Sequence, residues 1–465
     1  MQESSEPLWD RTLRRIREIW PLGDPELKNM VSPSFPKSDF AKVRDKIDAC
    51  LENLGGEVSA RARAAELGEA YSVLNADGRK RFLELLAREY DVDNVAVEEA
   101  ITKHREAVET DEKQIATAQL RDLLEPPRSR LMRQFNGLQE GVKFLVDLRA
   151  ELIEWARESR ELKALDSDVY RLLESWFDVG FLDLRLITWK TPAYLLEKLV
   201  KYEAVHKIRS WQDMKNRLEE DRRCYAFFHP RMPDEPLIFV EVALVNGIST
   251  NVHELLDEQA PAGNPKEADT AVFYSISTCQ KGLAGVSFGN FLIKRVVADL
   301  KTNLPNLKTF STLSPIPGFV GWVKTLTEDN QLFLRESEAL TLLQSEGVTA
   351  EQIRDVISPD DKADKETRER AKTMEQSLLR LCAHYLLEKK RGTQAHDRVA
   401  HFHLTNGAKV KQINGAADLT DNGIMRSAGM MVNYLYDLPT IDKNHEAYSG
   451  QGEIAAMAPV KKLLK

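Results

Sequence analysis

The stretch Cys279–Gly289, CQKGLAGVSFG, is the most informative part of this chain. It follows the apolar run Ala271–Ser277 (AVFYSIS) and precedes the amphipathic run Asn290–Leu300 (NFLIKRVVADL), an order that predicts strand, glycine-rich turn and helix. That order presents free backbone N–H groups to a phosphate or another anion. Gly282 and Gly285 would allow backbone torsions and close approaches that a Cβ forbids. Glycine turns between strand and helix are common, so a purely structural turn is an equal alternative.

A second apolar run, Phe310–Phe319 (FSTLSPIPGF), ends in a serine, two prolines and a glycine. Ser314 follows a predicted strand, and Pro315 and Pro317 would hold it on a rigid loop, where functional sites tend to lie. The commoner role of such a serine is to cap a turn through its hydroxyl. No G-x-S-x-G elbow surrounds Ser314, and Pro315 lacks the N–H that such an elbow uses, which weakens a serine hydrolase reading.

The segment Val399–Ala408 (VAHFHLTNGA) holds His401 and His403, two of the nine histidines. If the segment is extended, their two-residue spacing places both imidazoles on one side. Asn406 and Gly407 predict a tight turn directly afterwards, which would bring His403 near the mouth of a loop. No HExxH or CxxC pattern supplies a third ligand, so we predict no metal site. A structural histidine is the alternative for either residue.

The composition excludes several classes of protein. A chain of 465 residues suggests two or three domains. The net charge of -8 and the lack of a basic stripe with interleaved aromatics argue against nucleic-acid binding. No apolar run approaches the roughly 20 residues that span a bilayer, and the first residues do not resemble a secretion signal. The four cysteines are scattered, so we expect reduced thiols in a cytosolic protein, with Cys279 a small turn residue rather than a nucleophile.

Residues 1–176 are predicted to form a helical bundle that serves packing or assembly. Apolar residues recur at helical spacing in a first segment and in three longer stretches: Trp9, Leu13, Ile16 and Trp20, then Ala60–Tyr90, Val97–Leu124 and Leu138–Ala156. The charge-rich segment Val95–Arg121 favours one long exposed helix, which the prolines Pro126 and Pro127 would end. Its charges are most simply a solvated face, with a partner-binding surface as the alternative.

Residues 177–465 are predicted to form an α/β domain, so the fold class is α+β. Runs with strand length and composition are Cys224–His229, Leu237–Val245, Ala271–Ser277 and Lys308–Leu313. Helical patterns separate or follow them at Tyr194–Tyr202, Trp211–Glu220, Ile248–Glu258 and Gly289–Leu300.

Taken together, these blocks resemble the malonyl-CoA decarboxylase family from about Trp176 almost to the C-terminus. The resemblance is densest in YEAVHKIRSWQDMKNRL (Tyr202–Leu218), RRCYAFFHP, FYSISTCQKGLAGVSFGNFLIKRVV, FSTLSPIPGF, VAHFHLTNGA and GMMVNYLY. It implies a GNAT acetyltransferase-like catalytic domain, which cradles the CoA pyrophosphate on a loop before a helix, after an N-terminal helical bundle. It also implies a bacterial-type, cytoplasmic enzyme without an organic cofactor or metal, and we expect a homo-oligomer, a dimer or a tetramer.

The resemblance further implies that Ser314 and His403 are the catalytic pair. Residues implied to contact the malonyl thioester and CoA are Gly282, Ala284, Gly285, Val286, Ser287, Phe288, Gly289 and Asn290. Animal-type members carry a glutamate where this chain has Ser287, so a serine hydrogen bond would replace any role of that carboxylate.

The implied reaction converts malonyl-CoA to acetyl-CoA and CO2 through a thioester enolate. Hydrogen-bond donors from the glycine-rich segment would stabilise the enolate oxygen. Ser314 would bind the departing carboxylate, and His403 would protonate the α-carbon. Two alternatives remain at this point: an acyltransferase that moves an acyl group from CoA to an amine, since one fold serves several activities, and a non-catalytic CoA sensor.

Overall fold

The computed structural model describes residues 27–53, 56–138, 140–286, 292–326, 336–360 and 362–465. The helix predicted through Trp9 and Trp20, and the candidate residues 287–290, lie outside these ranges. The described chain divides into two compact units. The first comprises Met1–Leu182, His229–Glu235 and Gln280–Ser287, and the second comprises Asp183–Phe228, Pro236–Cys279 and Phe288–Lys465, as far as these ranges are described. The division into domains at 176 and 177 stays a prediction.

The first unit is helical. Its α-helices are α1 (Phe40–Leu51), α2 (Gly56–Val73), α3 (Ala76–Glu89), α4 (Asn94–Glu106), α5 (Thr110–Leu123), α6 (Pro127–Gln134), α7 (Gly141–Trp155) and α8 (Arg160–Trp176). Leucines of α3, α7 and α8 form much of its core, with Leu83, Leu145 and Leu165 fully buried. This burial of apolar faces stabilises the bundle because it removes hydrocarbon from water.

The prediction of one long helix over Val95–Arg121 is wrong. The chain forms two helices, α4 and α5, because Ala107 has extended backbone (φ -64°, ψ 120°) and ends the first of them. Asp111 and Glu112 occupy the first turn of α5, where acidic side chains favour a helix start. Pro127 is the first residue of α6, a position that proline tolerates because its missing N–H has no helical partner there.

The second unit combines a sheet with helices. Its α-helices are α9 (Ala193–Tyr202), α10 (Trp211–Asn216), α11 (Val252–Leu255), α12 (Leu292–Asn303), α13 (Phe319–Val323), α14 (Ser337–Gln344), α15 (Ala350–Ile357), α16 (Lys365–Leu387), α17 (Arg398–Thr405), α18 (Asp421–Ser427), α19 (Ile441–Gln451) and α20 (Ala458–Lys462). The predicted helices over Trp211–Glu220 and Ile248–Glu258 are shorter than expected, since only α10 and α11 are helical there.

The strands are β1 (Asp183–Ile187), β2 (Arg222–His229), β3 (Met232–Val245), β4 (Thr270–Thr278), β5 (Thr309–Thr312), β6 (Ser314–Pro315), β7 (Lys390–Arg391), β8 (Gln394–Ala395), β9 (Lys409–Asn414) and β10 (Met431–Leu435). Eight of the described strands form one sheet, in the order β1-β2-β3-β4-β5-β10-β6, with β9 also paired to β10. Strands β7 and β8 form a separate hairpin.

Strands β4 and β5 pair in parallel, and the chain between them includes α12. The predicted order of strand, helix and second strand around the glycine-rich segment is therefore confirmed. Strand β10 pairs antiparallel with β9 on one side and with β5 and β6 on the other. The fold class is confirmed: a helical region precedes a domain built on a mixed sheet.

Candidate active site

Ser314 begins the short strand β6, directly after β5. Val432 of β10 pairs with Ser314, and Met431 pairs with Pro315. The backbone N–H of Ile316 donates to the hydroxyl of Ser427 at 3.3 Å, so the segment after the serine is also held from α18. Ser314 is therefore buried and fixed in place by a short strand, whereas the sequence predicted a rigid loop.

His403 lies on helix α17, which corrects the prediction of an extended segment. Asp397 caps this helix, because its carboxylate accepts from the N–H groups of Val399 and Ala400. Two residues on a helix differ by about 200° in direction, so His401 and His403 do not share a side. The Nδ1 atom of His401 lies 2.8 Å from the hydroxyl of Tyr448, a contact that His403 does not share.

The turn after this helix is confirmed. Gly407 has φ +78°, in the left-handed region that favours glycine. A Cβ on Gly407 would stand 2.1 Å from the carbonyl oxygen of Ile441, so the close approach also requires glycine.

The structure brings Ser314 and His403 together. The hydroxyl oxygen of Ser314 lies 3.0 Å from Nε2 of His403, and both side chains are buried. Ser314 also donates to Oγ1 of Thr312 at 2.8 Å, which fixes the direction of its hydroxyl. The imidazole stacks on the ring of Tyr434, with ring centroids 4.5 Å apart and planes 25° from parallel. A hydroxyl and an imidazole in this geometry can exchange a proton.

A tyrosine hydroxyl completes the surroundings of the imidazole. The hydroxyl of Tyr436 lies 2.7 Å from Nδ1 of His403 and makes no other hydrogen bond among the described residues. Because burial raises the pKa of Tyr436 well above its ordinary value, the phenol keeps its proton. Burial also lowers the pKa of His403 to about 3, so its imidazole is neutral near pH 7. A donating Tyr436 hydroxyl assigns the imidazole proton to Nε2, facing Ser314.

Residues 280–286 of the glycine-rich segment belong to the first unit, where they pack on α7. Lys281–Leu283 forms a 3-10 turn. A Cβ on Gly282 would meet the carbonyl oxygen of Val146 at 1.7 Å, so the expected close approach is to this helix. Gly285 has φ +84°, as the expected backbone freedom requires.

Arg149 of α7 holds the same segment. Its guanidinium donates to the carbonyl oxygens of Gly282 at 2.6 Å and Ala284 at 3.0 Å. The N–H groups of Ala284 and Val286 donate to the carbonyl oxygens of Lys281 and Leu283, so these two N–H groups are already bonded. The first of these bonds follows from the 3-10 turn, which closes short-range hydrogen bonds. Any contact of Gly282, Ala284, Gly285 or Val286 with CoA stays a prediction.

The sequence analysis missed four residues around the pair: Thr312, Asp397, Tyr434 and Tyr436. For the two tyrosines the sequence does offer a signal. In the block GMMVNYLY they stand two residues apart in an apolar run, a strand spacing that places Tyr434 and Tyr436 on one face. Asp397 carries the ordinary pattern of a helix cap, and nothing in the sequence distinguishes Thr312.

The described ranges contain neither a candidate metal site nor a candidate membrane span. No group of three or more His, Cys, Asp or Glu side chains there could hold a metal ion. None of the helices in that part of the chain is long and apolar enough to cross a membrane. The expectation of a reaction without a cofactor remains a prediction.

The domain that carries the serine–histidine pair matches the model of a known family. The family model for the malonyl-CoA decarboxylase C-terminal domain matches residues 180–465, and the model for the N-terminal domain matches residues 90–177. The chain belongs to the malonyl-CoA decarboxylase family. The resemblance drawn from the sequence blocks is thereby confirmed.

Individual relatives agree with this family. The mitochondrial malonyl-CoA decarboxylase of Anser anser anser is 38% identical over 420 residues, which cover 86% of this chain and 83% of the relative. The crystal structure of malonyl-CoA decarboxylase from Rhodopseudomonas palustris is 40% identical, with a TM-score of 0.81 over 91% of this chain and 99% of that one. The structure of the Agrobacterium vitis malonyl-CoA decarboxylase is 39% identical, with a TM-score of 0.79 over 91% and 100%.

Proposed function

We propose that this chain decarboxylates malonyl-CoA to acetyl-CoA and CO2, and that Ser314 and His403 act on the malonyl group. The activity follows from membership of the malonyl-CoA decarboxylase family. The observation that carries the assignment of the residues is the 3.0 Å contact between Oγ of Ser314 and Nε2 of His403.

The chemistry needs a group that accepts charge and a group that gives a proton. When the bond between the α-carbon and the carboxylate breaks, its electron pair passes into the thioester as an enolate and CO2 leaves. One proton must then reach the α-carbon to give the methyl group of acetyl-CoA. The thioester carbonyl is itself the electron sink, so the reaction as proposed uses neither a metal nor an organic cofactor. Positioned proton donors of this kind contribute roughly 100- to 10,000-fold in rate.

In this proposal the hydroxyl of Ser314 binds the malonyl carboxylate, and Nε2–H of His403 supplies the proton. The neutral imidazole suits this role because an enolate is basic enough to take its proton. The hydrogen bond from Tyr436 to Nδ1 stabilises the ring that is left when Nε2 gives up its proton. A proton from solvent then restores Nε2–H before the next turnover.

The sites that bind the thioester and CoA, the cellular location and the oligomeric state are also proposals. The glycine-rich segment, including Gly282 and 284–290, would bind the thioester and CoA; its anchoring by Arg149 supports a fixed conformation. A cytoplasmic location and assembly as a homodimer or homotetramer are also proposed.

The test is incubation of the protein with labelled malonyl-CoA, with CO2 and acetyl-CoA measured together. We expect Ser314→Ala and His403→Ala each to lose at least roughly 100-fold in kcat while still binding CoA. His401→Gln is the matched control, since His401 lies two residues away on the same helix and contacts Tyr448 instead. Near-normal turnover in either alanine variant, or product formed only with an amine acceptor, would contradict the proposal.

A further inference from the structure

A buried carboxylate, Asp397, contacts both segments that carry the serine–histidine pair. Its Oδ1 atom accepts from the N–H groups of Val399 at 2.9 Å and Ala400 at 3.0 Å, at the start of the helix that carries His403. Its Oδ2 atom accepts from the N–H of Gly318 at 3.3 Å, in the loop that follows Ser314. One side chain therefore holds the histidine helix with one oxygen and the serine loop with the other.

A third element contributes to this carboxylate. The hydroxyl of Tyr385, on the long helix α16, donates to Oδ2 of Asp397 at 3.3 Å. Tyr385 also contacts the rings of Phe319 and Trp322, whose helix α13 begins directly after the serine loop. The tyrosine therefore supports the carboxylate and the loop together.

The contact between loop and carboxylate depends on a glycine. A Cβ on Gly318 would lie 2.1 Å from the hydroxyl of Tyr385 and 3.3 Å from Oδ2 of Asp397. Any larger residue would have to displace the tyrosine or the loop. The sequence SPIPG thus ends in the one residue type that lets the backbone reach the carboxylate, while Pro315 and Pro317 limit the torsions between Ser314 and this anchor.

Asp397 is an unusual cap because it is buried. It is 3% exposed, and its four donors in the described part of the chain are uncharged. Burial raises its pKa, and the four hydrogen bonds oppose that rise. Asp93 caps α4 by the same pattern while it is exposed, so capping alone does not require a buried carboxylate.

We infer that Asp397 is a positioning residue that sets the separation of Ser314 and His403 by tying the serine loop to the N-terminus of the histidine helix. It acts through these two residues and does not touch substrate. The inference rests on the proposed roles of the pair. Displacement of a reacting group by about 1 Å can cost 100-fold in rate, so loss of the tie lowers kcat.

The decisive variant is Asp397→Ser. A serine still caps the helix through its hydroxyl, but its single short side chain cannot also accept from Gly318. We expect kcat for CO2 release to fall roughly 10- to 100-fold with KM for malonyl-CoA little changed. Tyr385→Phe removes only the hydroxyl donor and should cause a smaller fall in kcat. Because Tyr385 acts through Asp397, the two effects should be less than additive in the double variant.

Asp93→Ser is the control. Asp93 caps α4 by the same pattern, with Oδ1 accepting from Val95 and Ala96, but it is exposed and lies in the first unit. Thermal midpoints of all the variants separate a loss of stability from a loss of rate. A kcat for Asp397→Ser within about twofold of wild type would overturn the inference, as would additive effects of the two substitutions.

If Asp397→Ser does not fold, Tyr385→Phe decides alone: a fall in kcat at constant KM supports the tie, and an unchanged kcat overturns it. The Ser314→Ala and His403→Ala variants distinguish the two proposals. If they lose turnover while the Asp397 and Tyr385 variants do not, only the present inference fails. If they retain turnover, the proposed roles of the pair fail, and the inference falls with them.

Discussion

The hydroxyl of Tyr436 donates to Nδ1 of His403 across 2.7 Å, on the side of the imidazole opposite Ser314. Each imidazole nitrogen therefore has its own hydroxyl partner. This arrangement fixes both the orientation of the ring and the nitrogen that carries the proton. A neutral hydroxyl lies here where a carboxylate lies in many serine–histidine sites, but it donates to Nδ1 and does not accept from it, and it gives the imidazole no charged neighbour.

We expect Tyr436→Phe to lower kcat by roughly tenfold. The substitution keeps the ring but leaves the buried Nδ1 without a partner, and an unpaired buried polar atom costs about 1–3 kcal/mol. Steady-state kinetics with malonyl-CoA measure the effect, and KM should hardly change. Tyr448→Phe is the matched control because it removes the hydroxyl that lies 2.8 Å from Nδ1 of His401 on the same helix. Equal losses in the two variants would argue against a specific role for Tyr436.

A second prediction concerns Thr312, whose Oγ1 accepts from the hydroxyl of Ser314 at 2.8 Å and from the N–H of Tyr434 at 3.1 Å. Thr312→Val preserves shape but leaves both donors without this acceptor. The free energy of unfolding should fall by about 1–3 kcal/mol, measured by urea denaturation. The value of kcat should fall as well, since the serine hydroxyl loses its fixed direction. Thr312→Ser keeps the oxygen and should stay near wild type in both measurements; if it matches the valine variant, the hydroxyl is not the cause.

The buried, neutral His403 predicts a dependence of stability on pH. Its pKa is about 3 in the folded protein, against the ordinary value of 6.5. Between these values the unfolded chain binds the extra proton, so the free energy of unfolding rises with pH and is lost as pH falls from about 6.5 towards 3. One such group contributes a slope of at most about 1.4 kcal/mol per pH unit.

This slope can be isolated with His403→Gln, which has no titrating group at that position. Burial also lowers the pKa values of His206 and His401, and those contributions remain in both proteins. Urea denaturation at several values from pH 7 to pH 4 should therefore show a shallower loss of stability in the variant. Parallel curves for the two proteins would mean that His403 titrates normally.

Because Arg149 anchors the glycine-rich segment, we expect its substitution to change KM for malonyl-CoA more than kcat. The guanidinium of Arg149 pairs with the carboxylate of Asp166 at 2.9 Å, and it also donates to the carbonyl oxygens of Gly282 and Ala284. A lysine offers a point charge in place of this planar fork and cannot serve all three acceptors. If the segment binds CoA as proposed, Arg149→Lys should raise KM for malonyl-CoA by roughly tenfold, about the effect of one lost charged hydrogen bond, and change kcat less.

The matched control is Arg128→Lys. Arg128 is equally buried in the same unit, and it joins Asp168 to the carbonyl oxygen of Ala87, away from the glycine-rich segment. The Arg128→Lys variant should lose about as much free energy of unfolding as Arg149→Lys, without a change in KM for malonyl-CoA. A rise in KM for both variants would indicate a general loosening of the helical unit, and an unchanged KM for Arg149→Lys would argue against CoA binding by this segment.

Much of the fold could be predicted because it depends on local pattern. The strand compositions at Cys224–His229 and Ala271–Ser277 predict β2 and β4, since β-branched and aromatic side chains fit a buried sheet. The break between α4 and α5 was missed because Ala107 and Val108 carry no turn signal. The helix carrying His403 was also missed, although Asp397 before it is an ordinary N-cap residue.

The sequence by itself determined the family, the order of a helical region before a mixed sheet, and two candidate residues, Ser314 and His403, because short sequence blocks and hydrophobic periodicity are properties of neighbouring residues. Only the tertiary structure decided that these two side chains meet, which tyrosine faces the imidazole, and which carboxylate touches both of their segments. These contacts join residues 89, 33 and 79 positions apart in the chain. Such pairings arise from the register of β6 and β10 and the packing of α17 against the sheet, and no local pattern encodes them.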